Sequence, residues 1–370
     1  MSRKLTSEKT KLRLGIAAAV VSVLILVVVL ETAVRVRQWV KYGTVTTSVQ
    51  SFTVDQQTGL RVPNPGTKTG RIQVNSLGFR SPELEMPKPQ GTVRLAFLGG
   101  STTWCAEVSS NEMTWPHLVW KKLKKLYPAV RFDYLNAAVP GYSVGESLVT
   151  LEHRVKSLSP DVIVIYHATN DLSYITRKLA RAQGIFSGRT EDPSWLAQWS
   201  LTWFLIEKNL ELNERQLNAK EGTAQLVFQP AQIAQEFSEQ LEPLVDASRS
   251  VTPLVALATF SHKFRKEQNL DEQLQAMNTS IYYMPYMTPQ GLFDAFDAFN
   301  AVIRKTAKRH QVLLIEGENR IPGDDQHFND SVHFKDAGSQ AMAARVTETL
   351  TQSPQFQDFL KMNSPMPASP

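Results

Sequence analysis

The chain has 370 residues, of which 42% are hydrophobic and 20% charged, so it is long enough for one large domain or two smaller ones. Its net charge of +5 is concentrated in the first 41 residues, which contain eight Lys or Arg and two acidic residues. The remainder is close to neutral, which argues against a nucleic-acid-binding surface on the main body.

Residues 14–30, LGIAAAVVSVLILVVVL, contain no charged residue. A helix of this length extends about 26 Å, which is close to the thickness of a bilayer core. The alternative is a cleaved signal peptide, but such apolar runs are usually shorter and end in small residues, whereas Glu31 follows this run. We therefore predict an uncleaved transmembrane signal anchor over 14–34.

The basic residues that precede this run predict that residues 1–13 stay in the cytoplasm. The expected location is the bacterial inner membrane, with a single pass and with the main body periplasmic or extracellular. Residues 35–91 contain turn-forming runs such as VPNPGTKTG and MPKPQG, so we predict a stalk and lead-in with little regular structure there.

After residue 91, apolar strands alternate with amphipathic helices. The third strand, DVIVIYHA, has the continuous apolar character of a central strand in a parallel sheet. Strands are predicted at 93–99, 131–139, 161–168, 253–260 and 311–317, and helices at 115–127, 145–158, 230–248, 290–309 and 336–350. This alternation predicts the α/β class: a flavodoxin-like three-layer α/β/α domain over 92–350 with a five-stranded parallel sheet.

The interval 172–252 is longer than an ordinary crossover and is predicted to be a helical insertion or lid. Within it, Trp195, Trp199 and Trp203 recur at four-residue steps, which predicts three rings on one helix face. That face suits a lid, an acyl-binding wall or a membrane-interface belt, and the simpler interpretation is an added helix packed on the domain. Residues 351–370 are predicted to form a flexible tail.

Polar residues follow the predicted strands at the edge of the sheet where doubly wound folds bind ligands. Ser101 follows two glycines after the first strand, Gly141 follows the second strand, and Asn170 follows the third. Asp330 and His333 follow the fifth strand, in FNDSVHFKDAG. A tight turn alone would explain the glycines, but the set as a whole predicts one pocket.

These residue types suit nucleophilic attack on an ester. A serine hydroxyl becomes an effective nucleophile when a neutral imidazole takes its proton, and a carboxylate on the other ring nitrogen stabilises the imidazolium that forms. The attacked carbonyl oxygen becomes negatively charged. The candidate donors to it are the backbone N–H groups of Ser101 and Gly141 and the side-chain amide of Asn170.

The order of these motifs resembles the SGNH (GDSL-type) hydrolase family over residues 72–350. LGGST matches the nucleophile block, Gly141 the second-block glycine, TND the third-block asparagine and DSVH the D-x-x-H block. The lead-in VNSLGFRSPE often precedes the first block in membrane-anchored bacterial members. The resemblance implies Ser101 as nucleophile, His333 as base, Asp330 as its orienting acid, and an oxyanion hole from Ser101, Gly141 and Asn170.

Two positions depart from the family pattern. Gly100 stands where the family usually has Asp, and Ala168 stands where it usually has Gly, but neither change removes a catalytic atom. His327 is the alternative base because it is close to Asp330 in sequence, whereas His167 is interpreted as a pocket or core residue. Cys105, the only cysteine, is interpreted as a buried core residue rather than a second nucleophile.

The resemblance implies a membrane-anchored serine esterase that acts through an acyl-serine intermediate on O-acyl esters, chiefly O-acetyl esters, of glycans or lipids. Two alternatives stay open: an O-acyltransferase with the same triad and a glycan hydroxyl as acceptor, and a catalytically silent glycan-binding or assembly protein. The expected partners are the ester substrate and the membrane, with no nucleic acid. No metal and no cofactor are expected.

Overall fold

The structure is a computed structural model, and it describes residues 2–42, 52–185, 194–221 and 225–363. The parts of the predicted stalk, insertion and tail that fall at 43–51, 186–193, 222–224 and 364–370 lie outside the described residues. The chain divides into two compact units: a larger one within 50–189 and 212–370, and a smaller one within 1–49 and 190–211.

The strands belong to the larger unit, and their bounds are as follows: β1 Phe52–Val54, β2 Arg61–Pro63, β3 Lys68–Thr69, β4 Ile72–Gln73, β5 Thr92–Gly99, β6 Arg131–Asn136, β7 Val162–Tyr166, β8 Leu254–Ala258 and β9 Leu313–Ile315. The last five form one parallel sheet in the order β6-β5-β7-β8-β9. The five predicted strands and their parallel arrangement are therefore confirmed.

All residues of β5, β7 and β8 are buried, so helices cover both faces of the sheet. Arg94 lies inside β5 and pairs across the register with Asp133 of β6, at 2.7 Å. Strands β6, β7 and β8 end two or three residues earlier than predicted. The residues beyond β6 form the loop that contains Gly141, and those beyond β7 lead into α5, which carries Asn170.

The helices have the following bounds: α1 Ser2–Tyr42, α2 Ser101–Trp104, α3 Trp115–Leu126, α4 Val144–Thr150, α5 Thr169–Ala182, α6 Trp195–Trp199, α7 Leu201–Glu221, α8 Pro230–Val251, α9 Leu270–Ala276, α10 Asn278–Tyr283, α11 Pro289–His310, α12 Asp336–Gln352 and α13 Pro354–Asn363. Helix α8 packs against α4, α5 and α11, and α12 packs against α3 and α13. Local signals explain several ends: Thr288 caps α11, and Pro289 occupies its first turn.

The lead-in contains more order than its composition predicted. It forms two short antiparallel hairpins, β1–β2 and β3–β4. It also contains a turn in which Asn75 Oδ1 accepts the backbone N–H groups of Leu77 and Phe79, while Asn75 Nδ2 donates to the Pro82 carbonyl. Local side-chain bonds of this kind stabilise an irregular segment without a helix or strand pattern.

The expectation of a flexible tail is wrong for residues 354–363, which form α13. Phe356 and Leu360 lie one helical turn apart and are buried, and the Phe356 ring contacts that of Tyr127 at a centroid distance of 6.3 Å. Burial of two large apolar side chains stabilises this short helix.

In the smaller unit, α1 contains the segment Arg13–Val40, whose most apolar stretch of 18 residues has a mean hydropathy of 2.8 and is not buried. This helix is long and apolar enough to cross a membrane. The expectation of one helix face for the three tryptophans is wrong, because the chain is extended at Ser200 and separates α6 from α7.

Candidate active site

The turn after β5 has no room for a side chain at Gly99 or Gly100. A Cβ atom on Gly99 would lie 2.2 Å from Thr103 Oγ1 and 2.9 Å from the Tyr166 carbonyl oxygen. A Cβ atom on Gly100 would lie 2.5 Å from Asn170 Nδ2. Distances this short are steric clashes, so both glycines are required in this geometry. Gly100, the departure from the family pattern, leaves the space that the Asn170 amide occupies.

The structure brings Ser101, His333 and Asp330 together. His333 Nε2 lies 2.8 Å from Ser101 Oγ, although the two residues are 232 positions apart. His333 Nδ1 lies 2.8 Å from Asp330 Oδ2 and 3.0 Å from Asp330 Oδ1. The three side chains therefore form one continuous hydrogen-bonded chain from the carboxylate to the hydroxyl, which is the arrangement that activates a serine.

The D-x-x-H spacing has a local structural reason. Asp330 Oδ1 accepts the backbone N–H groups of Val332 and His333, each at 3.0 Å, so the carboxylate closes the turn that carries the imidazole. Ser331 Oγ accepts the N–H groups of Thr279 and Ser280. The loop is thereby held against α10, and both its carboxylate and its ring have fixed positions.

Charges around the imidazole favour its protonated form. Burial opposes the charged ring, but the nearby Glu107 and the contact with Asp330 outweigh it and raise the pKa of His333 to about 9. Burial likewise opposes the charged Asp330, but His333 and the hydrogen bonds from the ring and backbone lower the pKa of Asp330 to about 2. The pair is thus ready to stabilise an imidazolium.

Gly141 and Asn170 line one cavity together with Ser101 and His333. Gly141 has φ of +91°, a left-handed conformation that favours glycine. Asn170 is in the first turn of α5, and its Nδ2 donates to the Tyr142 carbonyl at 2.8 Å. An amide nitrogen carries two hydrogens, so a second donor position remains for a ligand oxygen.

The other candidates lie elsewhere. His327 repeats the D-x-x-H geometry with Asp324, at 2.7 Å, but within the described residues no hydrogen bond links it to Ser101. His167 is buried, and its Nε2 lies 2.8 Å from Ser147 Oγ, which places it in the core. Cys105 is also buried, and burial raises the pKa of its thiol to about 12, as expected for an inert core cysteine.

Arg80 is a supporting residue that the sequence analysis missed. Its guanidinium is fully buried and donates to the carbonyl oxygens of Trp104 and Cys105, at 2.6 and 2.7 Å, and to Asn111 Oδ1 at 2.9 Å. These carbonyls lie at the end of α2, the helix that begins with Ser101. The position of Arg80 inside the family-like lead-in was the available signal, but no local pattern indicates what a distant arginine contacts.

A cavity of about 480 Å³ opens at the triad. It is lined by Ser101, His333, Gly141 and Asn170 together with residues that the sequence did not point to: Arg61, Pro140, Thr169, Ser173, Tyr174, Arg177, Thr279, Ser280, Tyr283, Met284 and Val332. Arg177 Nε is buried and has no hydrogen-bond partner among the described residues. The cavity thus places the Ser101 hydroxyl, the His333 imidazole and the Asn170 amide around one ligand-sized space.

Among the described residues, no group of three or more His, Cys, Asp or Glu side chains is arranged to hold a metal ion. The expectation that the chemistry needs no metal or cofactor stays a prediction.

The chain is similar to several known proteins. The chain is similar in structure to an acetylxylan esterase from Geobacillus stearothermophilus (16% identity, 70% of this chain, 93% of that chain, TM-score 0.42). It is also similar to LAE5, an α/β hydrolase enzyme from the metagenome of Lake Arreo, Spain (15%, 70%, 94%, 0.41), and to TesA (15%, 70%, 97%, 0.40). No curated protein sequence matches the chain. A sequence profile of the GDSL-like Lipase/Acylhydrolase family matches residues 97–341, well over half of the chain. The chain therefore belongs to the GDSL-like lipase/acylhydrolase family and is a serine ester hydrolase.

Proposed function

We propose that this enzyme is a membrane-anchored esterase that removes O-acyl groups, chiefly O-acetyl groups, from a glycan through an acyl-Ser101 intermediate. The single observation that carries the proposal is the continuous contact from Asp330 through His333 to Ser101 at the edge of a substrate-sized cavity. The family membership supplies the reaction class, and the site residues supply the assignment of roles.

In the first half-reaction, His333 Nε2 takes the proton of Ser101 Oγ while the oxygen attacks the ester carbonyl carbon. The carbonyl oxygen becomes an oxyanion and accepts hydrogen bonds from the Ser101 and Gly141 N–H groups and the Asn170 amide. Asp330 stabilises the imidazolium and holds its orientation. The imidazolium then returns the proton to the departing sugar oxygen, which leaves an acyl-serine.

In the second half-reaction, water donates a proton to His333 Nε2 and its oxygen attacks the acyl carbon. The bond between that carbon and Ser101 Oγ then breaks, and the imidazolium returns the proton to Oγ, which regenerates Ser101 and releases the acid. A glycan hydroxyl in place of water would transfer the acyl group instead. Quantifying both free acid and acylated acceptor in one reaction separates the two outcomes. Our proposal predicts free acid as the main product.

The cavity lining contains both hydroxyls and apolar side chains. Thr169, Ser173 and Thr279 contribute the hydroxyls, and the Tyr283 ring is about half exposed beside them. We choose a glycan ester for the proposal because a sugar ring presents both hydroxyls and apolar C–H faces to such a mixed lining.

Membrane anchoring is the second part of the proposal. It is supported by the length and hydropathy of α1 and by the basic residues that precede its apolar run. We place residues 1–13 in the cytoplasm and the larger unit on the opposite side of the membrane.

The test uses purified full-length protein and a small acetyl ester, with variants of the two matched D-x-x-H pairs. His333→Ala should lose nearly all turnover, and Asp330→Ala somewhat less, because it orients the base rather than transferring protons. His327→Ala is the control and should keep wild-type turnover. An inactive His327→Ala beside an active His333→Ala would overturn the assignment, and a wild-type protein inactive on every ester tried would favour a silent binding protein.

A further inference from the structure

The segment Ser194–Trp203, here called the tryptophan segment, is bound to α1 within the smaller unit. The carboxylate of Glu31 on α1 accepts hydrogen bonds from Ser200 Oγ at 2.8 Å and from the backbone N–H groups of Leu201 and Thr202 at 2.9 and 3.0 Å. Ser200 Oγ in turn accepts the Trp203 N–H at 3.1 Å. The first turn of α7 is therefore capped jointly by its own serine and by a glutamate 170 residues away in sequence.

Arg35 completes this connection. Its Nε donates to Glu31 Oε1 at 2.7 Å, and its Nη2 donates to the Trp199 carbonyl at 3.0 Å, at the end of α6. One ion pair on α1 thus holds the end of α6 and the beginning of α7. A carboxylate at a helix N-terminus and a cation at a helix C-terminus also match the two helix dipoles.

The tryptophan rings face outward from this arrangement. Trp195 and Trp199 are 70% and 78% exposed, and Trp203 is 41% exposed, whereas the small Ala197 between them is buried. A folded protein rarely presents a cluster of indoles to water. A helix packed on a domain would bury its large rings and expose its small residues. Here the rings are exposed and Ala197 is buried, so this exposure pattern does not fit that interpretation.

The location of Glu31 indicates what covers these rings. It directly follows the uncharged run 14–30, so a bilayer that holds this run has its headgroup region at Glu31. Tryptophan is enriched at that depth, because its ring is largely apolar and its N–H is polar. In Trp203 the ring N–H already donates to Glu207 Oε1 at 2.6 Å, which leaves the apolar part of the ring exposed.

We propose that the tryptophan segment is a lipid-binding element that inserts Trp195, Trp199 and Trp203 into the headgroup region of the membrane that α1 crosses, with Glu31 and Arg35 as its attachment to the anchor. The inference rests on the proposed membrane anchoring and adds a second membrane contact, contributed by an insertion far along the chain. The proposed binding partner of the tryptophan segment is the headgroup region of the bilayer itself.

The test places an environment-sensitive label at position 199, as Trp199→Cys in a Cys105→Ser background, in full-length protein reconstituted into phospholipid vesicles. Lipids with a quencher at headgroup depth should remove most of the label's fluorescence, and quenchers at the chain ends or in the aqueous phase should remove little. A second substitution, Glu31→Ala, should abolish most of the lipid quenching, and Glu31→Gln should abolish part of it. Thr32→Ala is the matched control, because the Thr32 hydroxyl donates to the Val28 carbonyl of its own helix, and it should change nothing.

Extraction of the same vesicles with alkaline carbonate reports the anchor independently. Protein that stays in the membrane while the label is quenched only from water would overturn the inference and leave the anchor intact. A label shielded from both lipid and water would show that protein covers the rings and would also overturn it. Protein released by carbonate would overturn both the anchor and the inference.

Discussion

The side chain of Asn170 lies directly against Gly100, which precedes Ser101, the proposed nucleophile. The amide of Asn170 lies where any side chain at position 100 would be, and its Nδ2 is fixed by the Tyr142 carbonyl. One hydrogen of the amide is therefore used for positioning and the other is available to an oxyanion. The proposed oxyanion donor is thus held in a fixed position by the protein before any substrate binds.

Asn170→Ala should lower kcat on a small acetyl ester by roughly 100- to 1000-fold with little change in KM, because the donor acts on charge that exists only in the transition state. Asn170→Asp should be at least as slow, since a carboxylate repels the oxyanion. Thermal unfolding of both variants should be measured alongside kcat. A destabilised Asn170→Ala enzyme with near wild-type kcat would contradict the oxyanion role.

The pH dependence of the reaction should follow His333, whose raised pKa lies near 9. The base must be neutral to accept the Ser101 proton, so kcat/KM should rise with pH and level off only above that pKa. Burial opposes the imidazolium, and the charge of Glu107 is the largest influence that favours it. Glu107→Gln should therefore move the rising limb to lower pH. An unmoved limb in a folded Glu107→Gln enzyme would show that Asp330 alone sets the pKa.

At the scale of elements, Ser101, the proposed nucleophile, lies on a helix of only four residues, α2, which is too short to be stable by itself. Its beginning is fixed by the buried strand β5, and its end is fixed by the guanidinium of Arg80. The lead-in thus supports the active site from a position outside the parallel sheet.

Arg80→Ala should destabilise the fold by about 2 kcal/mol or more, because two buried carbonyls lose their donor. It should also lower kcat, since α2 carries Ser101. Arg131 offers a matched control: it forms an exposed pair with Glu85, so Arg131→Ala should cost less than about 1 kcal/mol and leave kcat unchanged. The free energy of unfolding in urea and kcat should be measured for both variants. An Arg80→Ala enzyme with wild-type stability and wild-type kcat would refute the supporting role of Arg80.

The sequence predicted those elements and site residues that have a local sequence pattern, and it missed those that depend on distant contacts. The five strands were predictable because buried strands read as unbroken apolar runs, and the site candidates were predictable because they follow those strands. Arg80 was not predictable, since its contacts depend on residues distant in sequence. The break at Ser200 was missed because tryptophan at every fourth position is typical of one continuous helix. The hydrogen bonds that cap the beginning of α7 come from Glu31, which is distant in sequence. Helix α13 was missed for a similar reason, because it is stabilised by burial of Phe356 against the distant Tyr127.

At the scale of the whole molecule, the α1 topology gives a further prediction. A reporter that is active only outside the cytoplasm, fused after Pro370, should be active in a bacterial host, because the basic residues before the apolar run hold the N-terminus inside. Edman sequencing of the purified protein should find its N-terminus upstream of residue 14. A soluble mature form that begins near Val34 would contradict the anchor and indicate a cleaved signal peptide.

The most direct measurement of the central claim is covalent labelling of the full-length protein with a fluorophosphonate, mapped by mass spectrometry. A serine activated by His333 attacks this reagent and stays modified, so the account predicts stoichiometric label on Ser101, none on Ser101→Ala, and strongly slowed labelling of His333→Ala beside normal labelling of His327→Ala. Folded wild-type protein that takes no label, or that carries it on another residue, would contradict the account.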